Sequence, residues 1–307
     1  MLPISPFRFS NLGYMCAIDI VKLFSFMILL YKKNENGARN SGCVIIITMM
    51  KPYLINTHSH ANMLKDTNID EAMTNASNEC ILTVIPSSTC EDIFEVSDFI
   101  TKYDNVYGYV GVYPEEAKNF TDKTLNDMEF LIKNNNKIIG IGEIGLDYYW
   151  DKSFNEVQKE VFIKQIEFAN QMNLPINVHS RESHFDTLDL LRKYNKNSIA
   201  IMHCFSGSLE FAKECIKEGI YISLGGVVTF KNAVKAKEVA SNIPLEYLLL
   251  ETDDPYLAPV PFRGKENQPM YVKYVAQAIA DLRGISVDNV AEQTTKNAER
   301  IFKFNAK

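Results

Sequence analysis

From residue 53 onward the chain alternates short apolar runs with longer stretches that are apolar along one side only. The short runs are 53–57 (YLINT), 80–86 (CILTVIP), 106–113 (VYGYVGVY), 137–143 (KIIGIGE), 175–179 (PINVH), 199–203 (IAIMH), 221–226 (YISLGG) and 247–252 (YLLLET), eight in all. Each is rich in Ile, Val, Leu and Tyr and apolar almost throughout, the pattern of a strand covered on both faces within a parallel sheet. The longer stretches have helical spacing. In 155–173, Val157, Val161, Ile163, Ile166, Phe168 and Ala169 form an apolar stripe against a charged back. The stretch 208–219 closes on Gly219, a residue suited to the left-handed turn that ends a helix. Strand and helix alternating eight times over about 250 residues predicts an α/β fold, a (β/α)8 TIM barrel spanning residues 51–307. A doubly wound open sheet is the other architecture such a pattern allows.

Residues 1–50 lie outside this pattern. The run 20–31 (IVKLFSFMILLY) is hydrophobic, but Lys22 interrupts it and Lys32 and Lys33 close it. That leaves it short of the roughly twenty apolar residues a bilayer span needs. Arg8 ahead of the run is compatible with a signal peptide, yet no small-x-small cleavage site follows. The segment is therefore read as an appendage, with Met49 or Met50 as the natural start of the domain, and no stable membrane association is expected.

Composition narrows the class. A chain of 307 residues can bury an ample core without covalent staples. Its six cysteines (Cys16, Cys43, Cys80, Cys90, Cys204, Cys215) are scattered and form no CxxC pair, so they read as core thiols of a reducing, cytoplasmic compartment. A formal net charge of −6 argues against a broad basic face that grips long stretches of duplex nucleic acid. Any phosphate contact should be local.

The candidate chemistry lies at the ends of the apolar runs. His58 and His60, two of five histidines, stand two positions apart where the first run turns polar, and in a strand residues i and i+2 share a face. Such a pair alone also suits hydrogen-bonded loop histidines. Glu143, however, ends the fourth run, His179 the fifth and His203 the sixth, while Asp253 follows the eighth. All fall on the C-terminal rim, where barrel enzymes build their sites. Imidazole and carboxylate are the ligands of zinc, manganese, iron and, with fewer nitrogens, magnesium. Six such groups suit two divalent ions bridged by a carboxylate better than one crowded ion, and a pair of ions can clamp the attacking and leaving oxygens of a phosphodiester.

Seven segments, INTHSH (55–60), GEIGLDYY (142–149), NVHSRE (177–182), MHCFSGS (202–208), LLLETDDPYLAP (248–259), FRGKENQP (262–269) and TTKNAERIF (294–302), resemble in order the signature motifs of the TatD family of metal-dependent deoxyribonucleases, within the amidohydrolase-like barrel superfamily. The resemblance runs from about residue 53 to the C-terminus and leaves out the first fifty residues. It implies that His58, His60, Glu143 and Asp253 hold one divalent ion, and Glu143, His179 and His203 a second, with Glu143 as the bridge. The ions would be Mg, Mn or Zn. The implied reaction is hydrolysis of DNA, with RNA left open, from the 3′ end of single or nicked strands; separately, a monomer is expected. In that reaction Asp253 is the candidate general base as well as a ligand. Arg181 and the loop from Arg263 to Lys265 are placed for substrate phosphates. Tyr148, Tyr149 and Trp150 form an aromatic run that either stacks an unpaired base or packs along the rim. His184, at the start of a helix, reads as structural.

Several positions depart from the family pattern. Asn56 stands where an aspartate is usual, which takes a negative charge from near the ions. Tyr113 replaces the histidine of the family's GxHP, altering a substrate or supporting contact. Glu266 and Gln268 stand where arginine and glutamate are commoner, weakening the positive field near a phosphate. Asp254 is acidic where a small residue is usual, and Asp253 is preferred as the ligand because it completes the ETD triplet. Two other functions remain on this scaffold: an amidohydrolase or phosphotriesterase-like lactonase, which commonly has a bridging lysine in place of Glu143, and a non-catalytic metal or nucleic-acid binder.

Overall fold

The computed structural model describes residues 53–304. Residues 1–50, with the hydrophobic run 20–31, Cys16 and Cys43, lie outside the described residues. The expected eight strands form as β1 (Leu54–Asn56), β2 (Ile81–Pro86), β3 (Val106–Val110), β4 (Ile138–Asp147), β5 (Ile176–Arg181), β6 (Ala200–Met202), β7 (Tyr221–Leu224) and β8 (Leu248–Leu250). Every neighbouring pair is parallel, and Asn56 opposite Leu250 closes β1 on β8, so the sheet is a barrel and not an open doubly wound sheet. The helices of the outer ring are α1 (Ile69–Asn78), α2 (Asp92–Thr101), α3 (Asp122–Asn134), α4 (Asn155–Met172), α5 (His184–Tyr194), α6 (Leu209–Lys217), α7 (Val234–Asn242), α8 (Val272–Arg283) and α9 (Val287–Ile301). Among the described residues no helix is long and apolar enough to cross a membrane.

Local sequence sets the helix ends. The side chains of Asn68, Ser208 and Ser286 accept the backbone N–H three residues on, capping α1, α6 and α9. Gly219 has the left-handed φ of +76° expected just beyond α6, and Asn173 takes φ +54° after α4.

Strand alternation divides the interior into two cores. One face of each strand packs under the helices, as with Leu54, Ile81, Ile85, Ile176, Val178, Ile222 and Leu250. The other faces the lumen, where Ile55, Leu82, Val84, Tyr109, Ile139, Ile201, Tyr221 and Leu249 are closed from below by Ala298, Ile301 and Phe302 at the end of α9. Two residues farther along, the same lumen face turns polar: Thr57 follows Ile55, His203 follows Ile201, Ser223 follows Tyr221, and Glu251 follows Leu249. Apolar filling below and polar groups above fix which end of the barrel can do chemistry.

Strand limits differ from the sequence expectation where they bear on that end. β4 runs on to Asp147, so Glu143 sits within the strand, and β5 continues past His179 to Arg181. β1 stops at Asn56 and β6 at Met202, so His58, His60 and His203 lie just beyond strand ends. The chain after β1 nevertheless stays tied to both neighbours, through Thr57 N–H to the Leu250 carbonyl (2.9 Å) and Ser59 N–H to the Val84 carbonyl (3.0 Å).

Close approach between β4 and β5 depends on glycine. Gly145, in register with His179, has φ +146°, and a Cβ there would lie 2.0 Å from the His179 carbonyl oxygen. Gly145→Ala is expected to cost at least about 2 kcal/mol, a fall in Tm of roughly 4–8 °C for a domain of this size. Thermal unfolding followed by circular dichroism would detect it, and an unchanged Tm would contradict the packing described.

Candidate metal centre

Six side chains from five strand ends meet at the top of the lumen. Three overlapping groups there could hold a metal ion: His58, His60 and Glu143; Glu143, His179 and His203; and His58, His203 and Asp253. All six residues named from the sequence are present, and Asp254 belongs to none of the three groups. Glu143 links two of them through different oxygens. Its Oε1 lies 2.8 Å from His179 Nδ1 and 2.7 Å from His203 Nε2. Its Oε2 lies 3.7 Å from His58 Nε2 and 3.8 Å from His60 Nε2. Asp253 Oδ1 faces the same two imidazole nitrogens at 3.7 and 3.8 Å. These last four distances are too long for hydrogen bonds. They suit a shared cation with ligand bonds of about 2.0–2.2 Å.

The outer nitrogens of two imidazoles are held from behind, which decides what the inner ones can do. His58 Nδ1 lies 2.8 Å from Asn177 Oδ1, and His179 Nε2 lies 3.0 Å from Asp147 Oδ2. The outer nitrogen of His58 donates to the amide oxygen, so its inner nitrogen presents a lone pair, whereas His179 lies between two carboxylates and bonds to both. The inner nitrogens also stand against one another, His58 Nε2 3.1 Å from His60 Nε2 and His179 Nδ1 3.3 Å from His203 Nε2, contacts in which one ring must donate and the other accept. In a site where His58 is fully buried and Glu143 is 4 % exposed, such an arrangement needs positive charge at its centre. Divalent cations fit that requirement and this donor set.

The titration behaviour of the metal-free site expresses the same need. Burial, together with the charge of His203, drives His58 well below the usual imidazole range, and burial also lowers His60. Burial works against His203 too, but the Glu143 carboxylate beside it overrides this and pushes it up to about 9. His179 is likewise raised, against burial, by its bonds to Asp147 and Glu143. Glu143 is held well below the usual carboxylate range despite burial, because His203 and His179 surround it. Burial, reinforced by Glu251 and Glu143, pushes Asp253 up to about 7.

Around these six stands a set of supporting groups that the sequence reading did not single out as site residues. Asp147, at the end of β4, also accepts from Tyr113 Oη (2.9 Å) and from the Tyr149 N–H (2.8 Å). Asn177, two residues before His179, faces the lumen by strand alternation. Glu251 accepts the Cys204 N–H at 2.6 Å and lies 3.9 Å from His203 Nδ1. Only the parity of Asn177 and Glu251 relative to His179 and Asp253 could have pointed to them.

The departures from the family pattern have local explanations. Asn56 shares the helix-facing side of β1 with Leu54; its Nδ2 donates to Thr252 Oγ1 (2.7 Å) and its Oδ1 accepts the Thr252 N–H (2.9 Å). Thr252 in turn donates to Asp254, whose buried carboxyl is pushed up to about 6, chiefly by burial. Asn56 therefore ties β1 to the end of β8. Asp254 adds a carboxylate at this junction, where the asparagine has none. Tyr113 keeps a polar contact with the centre through Asp147 and stands 3.3 Å from His179 Nε2. Glu266 accepts the backbone N–H groups of Lys65, Asp66 and Thr67 at 2.7–3.1 Å, which fixes the loop after β1. Gln268 donates to Thr67 Oγ1 of that loop.

The remaining candidates lie farther out. Arg181 ends β5 with its guanidinium over the Tyr149 ring, 3.7 Å from the centroid. Arg263 rests on the Phe230 ring at 3.8 Å, and Lys265 is exposed. Neither Arg263 nor Lys265 bonds to a member of the donor groups. Tyr148 turns away from the mouth and donates to Asp186 on α5 (2.8 Å), whereas Tyr149 and Trp150 stay exposed. His184 opens α5, its Nδ1 2.9 Å from Ser180 Oγ and its ring stacked against Phe211, in keeping with a structural role.

A parallel eight-stranded barrel with imidazoles and carboxylates gathered at its C-terminal mouth is the architecture of a metal-dependent hydrolase. Comparison with known proteins narrows the class. The model of the family described as TatD related DNase matches residues 55–303, and the chain belongs to that family. It is 43 % identical over 255 residues to the uncharacterized metal-dependent hydrolase YabD of Bacillus subtilis, covering 82 % of this chain and 100 % of that protein. It is 35 % identical over 260 residues to the uncharacterized metal-dependent hydrolase YcfH of Escherichia coli, covering 83 % of this chain and 97 % of that one. Among solved structures, the TatD homolog YJJV of Escherichia coli superposes with a TM-score of 0.77 at 27 % identity, covering 83 % of this chain and all of that one.

The hold of Asp147 on His179 yields a direct expectation. Asp147→Asn should weaken Mn²⁺ binding by about ten- to a hundredfold, the range typical of lost ligand-orienting carboxylates. Tyr113→Phe, which removes one hydrogen bond to that carboxylate, should weaken it less. Isothermal titration of the metal-free proteins would measure both, and wild-type affinity in Asp147→Asn would show that His179 is not held in this way.

Proposed function

We propose that this protein is a deoxyribonuclease that uses two divalent ions to hydrolyse phosphodiester bonds, removing nucleotides from the 3′ end of single or nicked strands. The observation that carries the reading is the placement of the two Glu143 oxygens, each toward a different group of imidazoles. In this reading His58, His60, Glu143 and Asp253 hold one ion, and Glu143, His179 and His203 the other. Bound divalent ions supply a water acidified toward neutrality and positive charge for the phosphorane-like transition state.

The chain's own groups do the rest. Asp253, whose side chain is 16 % exposed and thus within reach of solvent at the mouth of the cluster, accepts the proton of the attacking water on a carboxylate oxygen. Its backbone helps to aim it: φ is +54°, a left-handed conformation that aspartate tolerates better than most residues. The Asp253 N–H is tied to the His58 carbonyl at 3.1 Å, so the acceptor and the first histidine move as one unit. Asn177 keeps His58 in the tautomer that leaves its inner nitrogen free, and Asp147 orients the ring of His179. Arg181, Arg263 and Lys265 hold substrate phosphates from the rim, as charge-assisted donors. A carboxylate at position 143 favours this reading over the lactonase-like one, whose bridging group is commonly a lysine.

Release of nucleotides from a single-stranded oligodeoxynucleotide in Mg²⁺ or Mn²⁺ tests the proposal. Glu143→Ala should lower the rate on the order of a hundredfold or more, the scale on which removing a preorganised charge-stabilising group acts. Chelation of the metal should abolish release. Absence of metal-dependent release by the wild-type protein would overturn the nuclease assignment.

A further inference from the structure

We propose that Tyr149, Trp150 and Arg181 form a nucleotide subsite beside the metal centre, in which an unpaired base stacks on the exposed aromatic faces while the guanidinium edge of Arg181 binds the adjoining phosphate. The inference rests on the nuclease reading and deepens it, because it names what distinguishes an acceptable strand from a poor one. Its first support is exposure. Trp150 is 61 % and Tyr149 46 % exposed, although large aromatic side chains ordinarily bury most of their surface. Their rings meet edge to face with centroids 4.8 Å apart, and with Arg181 over Tyr149 the larger open surface is that of Trp150.

A second support is the state of Arg181. Its guanidinium lies 3.7 Å from the Tyr149 centroid and 5.3 Å from that of Trp150. Stacking occupies the face of the guanidinium and leaves its edge. Among the described residues Arg181 makes no ion pair, whereas Lys152 nearby is taken up by Glu182 at 3.5 Å. Glu115 is near enough to feel its charge but forms no ion pair with it, and an oriented fork of N–H donors is what a phosphate oxygen pairs with best.

Position supplies the third. Arg181 is two residues beyond His179 on β5, about 7 Å along the strand. It is in register with Asp147, and its carbonyl accepts the Tyr148 N–H at 2.9 Å. The Tyr149 N–H is bonded to the same Asp147 carboxylate that holds His179. The aromatic pair is thereby joined through short hydrogen bonds to the β4 and β5 ends that position the metal donors. A base inside a duplex has both faces covered by its neighbours, so such a platform selects frayed, nicked or single strands.

Trp150 is the one tryptophan of the chain, so its emission reports on the platform directly. The full-length protein in Mg²⁺ is titrated with a short phosphorothioate oligothymidylate, which resists cleavage, and with an abasic strand of equal length and charge. Expected are quenching of Trp150 by the thymidylate strand and an affinity at least about tenfold lower for the abasic one, in the range that a lost base stack produces. Anisotropy of end-labelled strands should show a similar loss for Trp150→Ala on the thymidylate strand, partial recovery with Trp150→Phe, and no difference between these proteins on the abasic strand. Equal binding of the two strands, or wild-type affinity in Trp150→Ala, would overturn the subsite. A Trp150 emission that neither strand alters would do the same and would point to a protein partner for the patch. Binding is read without cleavage: stacking without metal-dependent hydrolysis of ordinary DNA sinks the nuclease reading, while hydrolysis with indifferent Trp150 variants sinks only the platform.

Discussion

Imidazoles and carboxylates packed against one another in a largely buried space set the central constraint on this molecule. Asn177 takes the outer nitrogen of His58, and His179 is held between Asp147 and Glu143, so each imidazole's orientation is fixed by an oxygen behind it. Charged and polar groups so largely removed from solvent are expensive unless they are paired. Only positive charge at the centre relieves the arrangement. The pull toward positive charge shows at His203, which the Glu143 carboxylate, aided by Glu251 and Asp253, pushes up to about 9 against the effect of burial. A divalent ion answers that pull better, because it can be shared by several donors at once.

The barrel makes the constraint possible. Parallel strands place all their C-terminal ends on one rim, and a period of two puts alternate residues into the lumen. Apolar lumen residues end in a layer closed by Phe302, and polar ones begin directly above. Glycines let β4 and β5 approach where Glu143 and His179 must meet: a Cβ at Gly142 would lie 2.8 Å from that of Asn177, and one at Gly145 would strike the His179 carbonyl. Function and packing thus compete for the same few ångströms between two strands.

Much of this was legible in the sequence, for identifiable reasons. Strands buried on both faces are nearly continuous apolar runs, and a ligand-type residue at the end of such a run is conspicuous; His58, His60, Glu143, His179, His203 and Asp253 were all visible in this way. Their supporting groups were not. Asn177 lies 119 positions from His58 and Asp147 lies 32 from His179, and no local spacing pairs residues so far apart. The departures were visible but their consequences were not. Asn56 was expected to act on the metals, yet it lies on the helix-facing side of β1, bonded to Thr252 beside a buried Asp254. Glu266 was expected to dilute a phosphate field, and it holds three backbone N–H groups of the loop after β1. Strand limits at β1, β4 and β6 moved by a few residues because ladder hydrogen bonds, not apolar character, decide where a strand ends.

Whether Glu143 joins two cations is the question on which the chemistry turns. Titration of the metal-free protein with Mn²⁺, followed by electron paramagnetic resonance, counts the ions and detects coupling between them through a shared carboxylate. Two ions per chain with an exchange-coupled spectrum, lost in Glu143→Gln, are expected. A single ion per chain, or two uncoupled ions whose signals Glu143→Gln leaves unchanged, would contradict the bridging role on which the proposed mechanism depends.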